Sequence, residues 1–168
     1  KKTVIIEKAI YLLAILLLAL SCFMLGQANA AEEVGYIREF SGGMEDPVDA
    51  VVAANGDIYV LDQGLAKVWV FGPEGIVKRG FGEPGAARGQ LNHPQSLALA
   101  MDGRVIVADT GNDRLQVFAP DGSFLYQLGH SGSLPGTFQR VIGVAVDPQG
   151  FIYALVKVGK SISKYSPH

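Results

Sequence analysis

The sequence predicts an all-β fold of stacked, repeated sheets, and three observations carry that prediction. The first is a period. Gly56, Gly103 and Gly150 are 47 residues apart, as are Phe71, Phe118 and Tyr165, and Pro73, Pro120 and Pro167. Pro47/Pro94, Asp62/Asp109, Gly64/Gly111, Gly75/Gly122, Gly82/Gly129 and Gly89/Gly136 keep the same offset. A fixed interval of this size without insertions marks supersecondary units that stack on one another. The second is a succession of short runs of β-branched and aromatic residues separated by turn residues. The third is composition: 21 glycines in 168 residues, with 49% hydrophobic and 18% charged, the balance of a turn-rich globular chain rather than a disordered one.

The first full unit runs from Pro47 to Leu91. Asp49–Ala53 is a short apolar strand, and Asn55-Gly56 predicts a two-residue type I′ hairpin turn, whose central positions both need φ > 0. Asp57–Asp62 and Lys67–Phe71 are the second and third strands, on either side of the loop Gln63–Ala66. Pro73-Glu74-Gly75 turns the chain into a fourth strand, Ile76–Phe81, with proline pre-setting φ. Gly82–Asn92 is the connector to the next unit. The second unit, Pro94–Phe138, repeats every part: Ser96–Ala100, Arg104–Asp109, Arg114–Phe118, Phe124–Leu128 and the connector Gly129–Gln139. A partial third unit, residues 141–167, supplies Val141–Val146, Phe151–Val156 and Ser161–Tyr165. Gly35–Phe40 resembles the fourth strands of the two full units and reads as the last strand of another. Four short strands joined by tight turns make one antiparallel sheet. Near-continuous apolar strands fit sheets packed on both faces, as in propeller blades.

Residues 1–30 stand apart from this pattern. Lys1, Lys2 and Lys8 flank Ala9–Leu25, 17 residues without a charge, and Ala28-Asn29-Ala30 follows. Positive flank, apolar segment and small-x-small site read as a secretory signal peptide. The rival readings are an apolar helix kept as a membrane anchor over residues 9–25, at the lower edge of what spans ~30 Å of hydrocarbon, and a lipoprotein attached at Cys22. All three predict an exported protein, periplasmic or extracellular, that meets the inner membrane only through this segment. Cys22 is the one cysteine, so residues 31–168 offer no disulfide, cysteine nucleophile or thiolate metal site. Their net charge is −4, from 11 Lys and Arg against 15 Asp and Glu, and no basic block marks a nucleic-acid footprint.

The stretch PQSLALAMDGRVIVADTGNDRLQVF, residues 94–118, resembles an NHL repeat, the unit of many six-bladed β-propellers. All three units share the resemblance, the second most fully, over roughly residues 35–167. The third departs from it: Val141 replaces the proline, Val156 the aspartate, and Lys157–Ser161 lacks the Gly-Asn-x-Arg part of the motif. The resemblance implies an incomplete ring of about three blades. Three explanations follow: a piece of a longer propeller, a half-ring that dimerises into six blades, or an open arc with exposed edges.

A blade of this kind puts its fourth-to-first connectors and second-to-third loops on one face and its tight turns on the other. The connector face carries the longer loops and the reachable polar groups, so a ligand is expected there. The candidate binding residues are His93, Gln95, Asn112, Asp113 and Arg140. Asp62 and Asp109 read as turn-fixing carboxylates that accept backbone N–H groups, and Trp69 as packing between blades. Scattered histidines without ligand spacing point to no metal site, and no nucleophile–base pair stands out, so no catalytic residue and no cofactor is assigned. The expected function is an extracytoplasmic binding or scaffold module for a protein, peptide or glycan. Two alternatives remain. One is a metal-dependent enzyme resembling the propeller lyase of peptide amidation or a lactonase, although Gln95 stands in the slot where that lyase's pattern would be compared. The other is a membrane-anchored structural subunit of an envelope complex.

Overall fold

The computed structural model describes Glu39 and residues 42–167, Ser133 and Pro135 excepted. The signal or anchor expected over residues 1–30 and, Glu39 apart, the strand expected at Gly35–Phe40 lie outside the described residues.

Blade 1 is an antiparallel sheet of β1 (Pro47–Val52), β2 (Ile58–Asp62), β3 (Lys67–Phe71) and β4 (Val77–Phe81), paired in chain order. The connector after it is pinched by a parallel bridge between β5 (Glu83–Pro84) and β6 (Gln90–Leu91). Blade 2 repeats the sheet with β7 (Ser96–Leu99), β8 (Val105–Asp109), β9 (Arg114–Phe118) and β10 (Phe124–Leu128). One 3-10 turn, Thr110–Asn112, joins β8 to β9. Blade 3 contains β11 (Val141–Val146), β12 (Ile152–Val156) and β13 (Ser161–Tyr165). The all-β, four-stranded antiparallel prediction holds, and the described blades form an incomplete ring.

The hairpin turns differ in detail from the sequence expectation. Gly56 has φ +84, but Asn55 is not left-handed, so this is not a type I′ turn. Ala53 N donates to Asp57 O at 2.8 Å and Gly56 N to Ala53 O at 2.9 Å, which encloses three residues, Ala54-Asn55-Gly56. A three-residue loop with its last residue left-handed is the next common hairpin connection. The same pair of bonds closes the turns at Gly75, Gly103, Gly122 and Gly150. Ile76, Arg104 and Phe151 therefore close turns rather than begin strands, which is why β4, β8 and β12 start one residue later than the apolar runs do.

The strands alternate, so each blade has two faces to bury. One face of blade 2 packs on blade 1 through Tyr59, Leu61, Val68, Val70, Leu97, Val105, Val107 and Phe118. The other packs on blade 3 through Ile106, Leu115, Val117, Val141, Ile152 and Ala154. Each core is plugged by the connector above it. Leu91 and Phe138, 47 residues apart, are both fully buried. Gly129 (φ +73) makes room for the second plug: a Cβ there would lie 2.3 Å from the Phe138 ring. The innermost strands are also tied together. Asp49 Oδ2 accepts from Ser96 Oγ (3.0 Å) and Leu97 N (2.9 Å), and Ser96 Oγ accepts from Val144 N at 3.4 Å.

Candidate functional site

Asp109 ends β8 with no exposure at all, and an unpaired buried carboxylate would be very costly. It is instead saturated. Oδ1 accepts from Asn92 N at 2.7 Å. Oδ2 accepts from Asn112 Nδ2 (2.9 Å), Arg114 Nε (2.7 Å) and Gln116 Nε2 (2.9 Å). These partners reach on to the connector from blade 1. Arg114 Nη2 donates to Ala87 O and Gln90 O, Asn112 Nδ2 to Gly85 O, and Gln116 Oε1 accepts from Gly89 N. The Asp-x-x-Asn-x-Arg-x-Gln set is thus a clamp that holds connector 82–92 against blade 2.

Asp62 does the same work with fewer side chains. It accepts from the amides of Glu45, Asp46 and Leu65 and from Trp69 Nε1 at 3.2 Å. Trp69, expected to be packing, therefore occupies the Gln116 position as a hydrogen-bond donor. Burial pushes the Asp62 carboxyl up, but the Asp46, Glu45 and Leu65 amides and the indole outweigh it and hold it below the ordinary value. A lowered native pKa stabilises the fold above the unfolded value and loses that contribution as the pH falls through the native one. Asp62→Asn is expected to be less stable than the parent at neutral pH. The gap should narrow as the pH drops below 3.8, the unbound carboxylate value, when urea unfolding is followed through the acid range.

Blade 3 lacks this aspartate, and Val156 takes its place in the core. The amide of Arg140 is capped from the neighbouring blade instead, by Asp113 Oδ1 at 2.6 Å, while Asp113 Oδ2 accepts from Ser131 Oγ at 2.9 Å. Nothing in the sequence pattern of a single unit points to this substitution of one carboxylate for another.

The five candidate residues fall into separate groups. His93 is exposed, with Nδ1 2.7 Å from Asn92 Oδ1, and lines an open cleft of about 530 Å3 on the connector face with Asp46, Gln63, Asn92 and Pro84. Gln95 is half-buried beside it, its backbone N donating to Ala108 O. Asn112 is engaged within the Asp109 clamp. Asp113 and Arg140 meet at the junction of blades 2 and 3. His93 (φ 44) and Arg140 (φ 63) share a left-handed backbone one repeat apart, and so do Ala66, Asp113 and Lys160. These strained positions belong to the repeat and are not peculiar to one site.

Gln63 Nε2 donates to Pro94 O at 3.1 Å, and its repeat counterpart Thr110 donates from Oγ1 to Val141 O at 2.7 Å, so both tie one blade to the next. The tight-turn face holds a feature not anticipated from the sequence. A cleft of about 520 Å3 runs between the first turns of blades 1 and 2, lined by Val52, Ala54, Tyr59, Leu99 and the exposed Met101. Met101 sits inside a turn motif, where a sequence reading assigns residues to turn geometry alone. Among the described residues no three of His, Cys, Asp and Glu converge as metal ligands would, so a metal-dependent reading would need ligands from beyond them.

Comparison with known proteins agrees with this architecture. Residues 91–118 match the NHL repeat family model. No curated protein matches the sequence. Among solved structures, the chain is similar to a protein of unknown function from Bacteroides thetaiotaomicron (TM-score 0.64, 20% identity, 82% of this chain and 40% of that one). It is also similar to the WD40 β-propeller domain of Doa1 (TM-score 0.61, 16% identity, 79% and 40%). A third is virginiamycin B lyase from Staphylococcus aureus (TM-score 0.58, 14% identity, 80% and 46%). The chain spans less than half the length of each. At these identities the likeness is one of fold. The matched segment, the 47-residue period and the four-stranded antiparallel sheets together identify residues 91–118 as an NHL repeat within a stack of β-propeller blades.

Proposed function

We propose that this chain is a binding or scaffold module that takes a protein, peptide or glycan on its connector face. The observation that carries the reading is the division of labour among its polar groups. The recurring acids Asp62 and Asp109 have their oxygens filled by scaffold donors, which removes them as catalytic carboxylates. What stays exposed on the connector face includes side chains at positions where the repeat varies, Asp46 and His93 beside the cleft there and Arg140 at the next blade. Open clefts flanked by a few polar groups suit recognition of an extended ligand.

The test is selection of the full chain against a random peptide library and a glycan array. Selected ligands are expected to lose at least about tenfold in affinity on joint Asp46→Ala and His93→Asn substitution, as a binding patch centred there requires. Asparagine is chosen because it tolerates the left-handed backbone. Met101→Glu on the opposite face should leave binding unchanged. Ligands that ignore the first pair and are lost with Met101→Glu would overturn the proposal.

The site of action is proposed to lie outside the cytoplasm, on the strength of residues 1–30. Release of the protein into an exported soluble fraction supports a cleaved signal, and detergent-dependent extraction with residues 9–25 retained supports the anchor. Completion of the ring by a second copy is read directly from sedimentation.

A further inference from the structure

We propose that the charge of the connector face changes sign from blade 1 to blade 3, and that blade 3 docks an acidic segment of a protein partner. The proposal rests on the connector-face reading above and gives it a partner chemistry. Four repeat positions define the face. In blade 1 they hold Glu45, Asp46, Gln63 and Ala66; in blade 2, Asn92, His93, Thr110 and Asp113; in blade 3, Gln139, Arg140, Lys157 and Lys160.

These are the same places in space as well as in sequence. Gln63 N donates to Asp46 O at 2.8 Å, and Lys157 N donates to Arg140 O at 3.0 Å, two repeats on. Glu45 and Asp46 are exposed on blade 1, and Arg140, Lys157 and Lys160 on blade 3. Lys160 N donates to Lys157 O, so the two lysines share one closed loop. Lys157 stands where Gln63 and Thr110 make their ties to the next blade. Asp113 of blade 2 takes Arg140 N and Ser131 Oγ, and three of the four blade 3 positions carry a positive charge. Alongside lies a cleft of about 350 Å3 lined by Thr137, Gln139, Ser161 and Ser163, which supply hydroxyl and amide donors.

Carboxylates of a polypeptide fit this set, since ammonium and guanidinium groups form short charge-assisted bonds with them. A single-stranded nucleic acid fits less well, because its binding surfaces interleave cations with exposed aromatic rings for base stacking. The aromatic residue of the connector, Phe138, is fully buried as a core plug, and Lys157–Lys160 contains none. Glu45 and Asp46 of blade 1 in turn favour basic groups of the same segment, which sets the direction in which it lies across the face.

The experiment uses the full chain with three fluorescent probes of matched length: oligoglutamate, oligolysine and single-stranded oligothymidylate. Oligoglutamate is expected to bind, with affinity falling as salt is raised. Joint Lys157→Glu and Lys160→Glu substitution should weaken it by at least about tenfold, with the thermal midpoint unchanged because both side chains are exposed. Failure of oligoglutamate to bind, equal binding by the lysine variant, or tighter binding of oligothymidylate would each overturn the inference. If library ligands map to Asp46 and His93 but oligoglutamate ignores the lysines, the charge pattern is wrong and the connector-face reading stands. Ligands mapping to the tight-turn face sink both.

Discussion

Asp109→Ala is expected to destabilise the chain by about 3–5 kcal/mol, the cost of removing one partner of a buried ion pair. The Arg114 side chain is only 8% exposed and Asp109 has no exposure, so the guanidinium would be left with no countercharge in a place water does not reach. The loss is larger than a pairwise count suggests, because the Asn92 amide loses its acceptor and Asn112 and Gln116 each lose one of theirs at the same time. Chemical denaturation of parent and variant measures it. Asp109→Ala combined with Arg114→Met should recover part of the loss, since removing both charges relieves the stranded one. A single-variant loss below about 1 kcal/mol, the range of an exposed pair, would show that the clamp does not hold the blades.

Phe138→Ala should cost a similar amount, about 3–5 kcal/mol, and change the manner of unfolding as well. The ring is fully buried between blades 2 and 3 and meets Tyr165 edge-on at 5.9 Å. Its removal opens a cavity beneath Gly129, whose missing side chain lets that ring approach closely. Blade contacts in a repeat fold are made with nearest neighbours, so the interface term falls on one junction. Calorimetry is expected to resolve an early transition of blade 3 ahead of blades 1 and 2. A single transition shifted as a whole would mean that the junction is not a separable unit.

The period, the strands and the turn glycines were legible in the sequence, because β-branched runs and left-handed glycines are local signals. So was the structural role of Asp62 and Asp109, since an aspartate ahead of a glycine-containing loop has backbone amides within reach. The turn type was not. Asn-Gly suggests two left-handed residues, whereas the observed loops spend three residues and place only glycine there. Trp69 and Gln116 share no class in a sequence comparison, and it is their single common group, an N–H donor facing an aspartate, that makes them equivalent. Long-range contacts were the least visible. The Asp113 cap on Arg140 spans two blades, and it answers a loss at Val156 that lies on a different strand. The charge pattern of the connector face needed the structure too, because it appears only when residues 17 apart, such as Arg140 and Lys157, are seen to share one hydrogen bond.

Hydrogen–deuterium exchange of the full chain with and without a library-selected ligand shows whether the repeat builds the scaffold while its varying positions make the binding face. Exchange is expected to slow at residues 63–66, 92–95, 139–140 and 157–160, with the hairpin turns unaffected. Slowing confined to residues 53–57, 100–104 and 147–151, with the connectors unchanged, would contradict it.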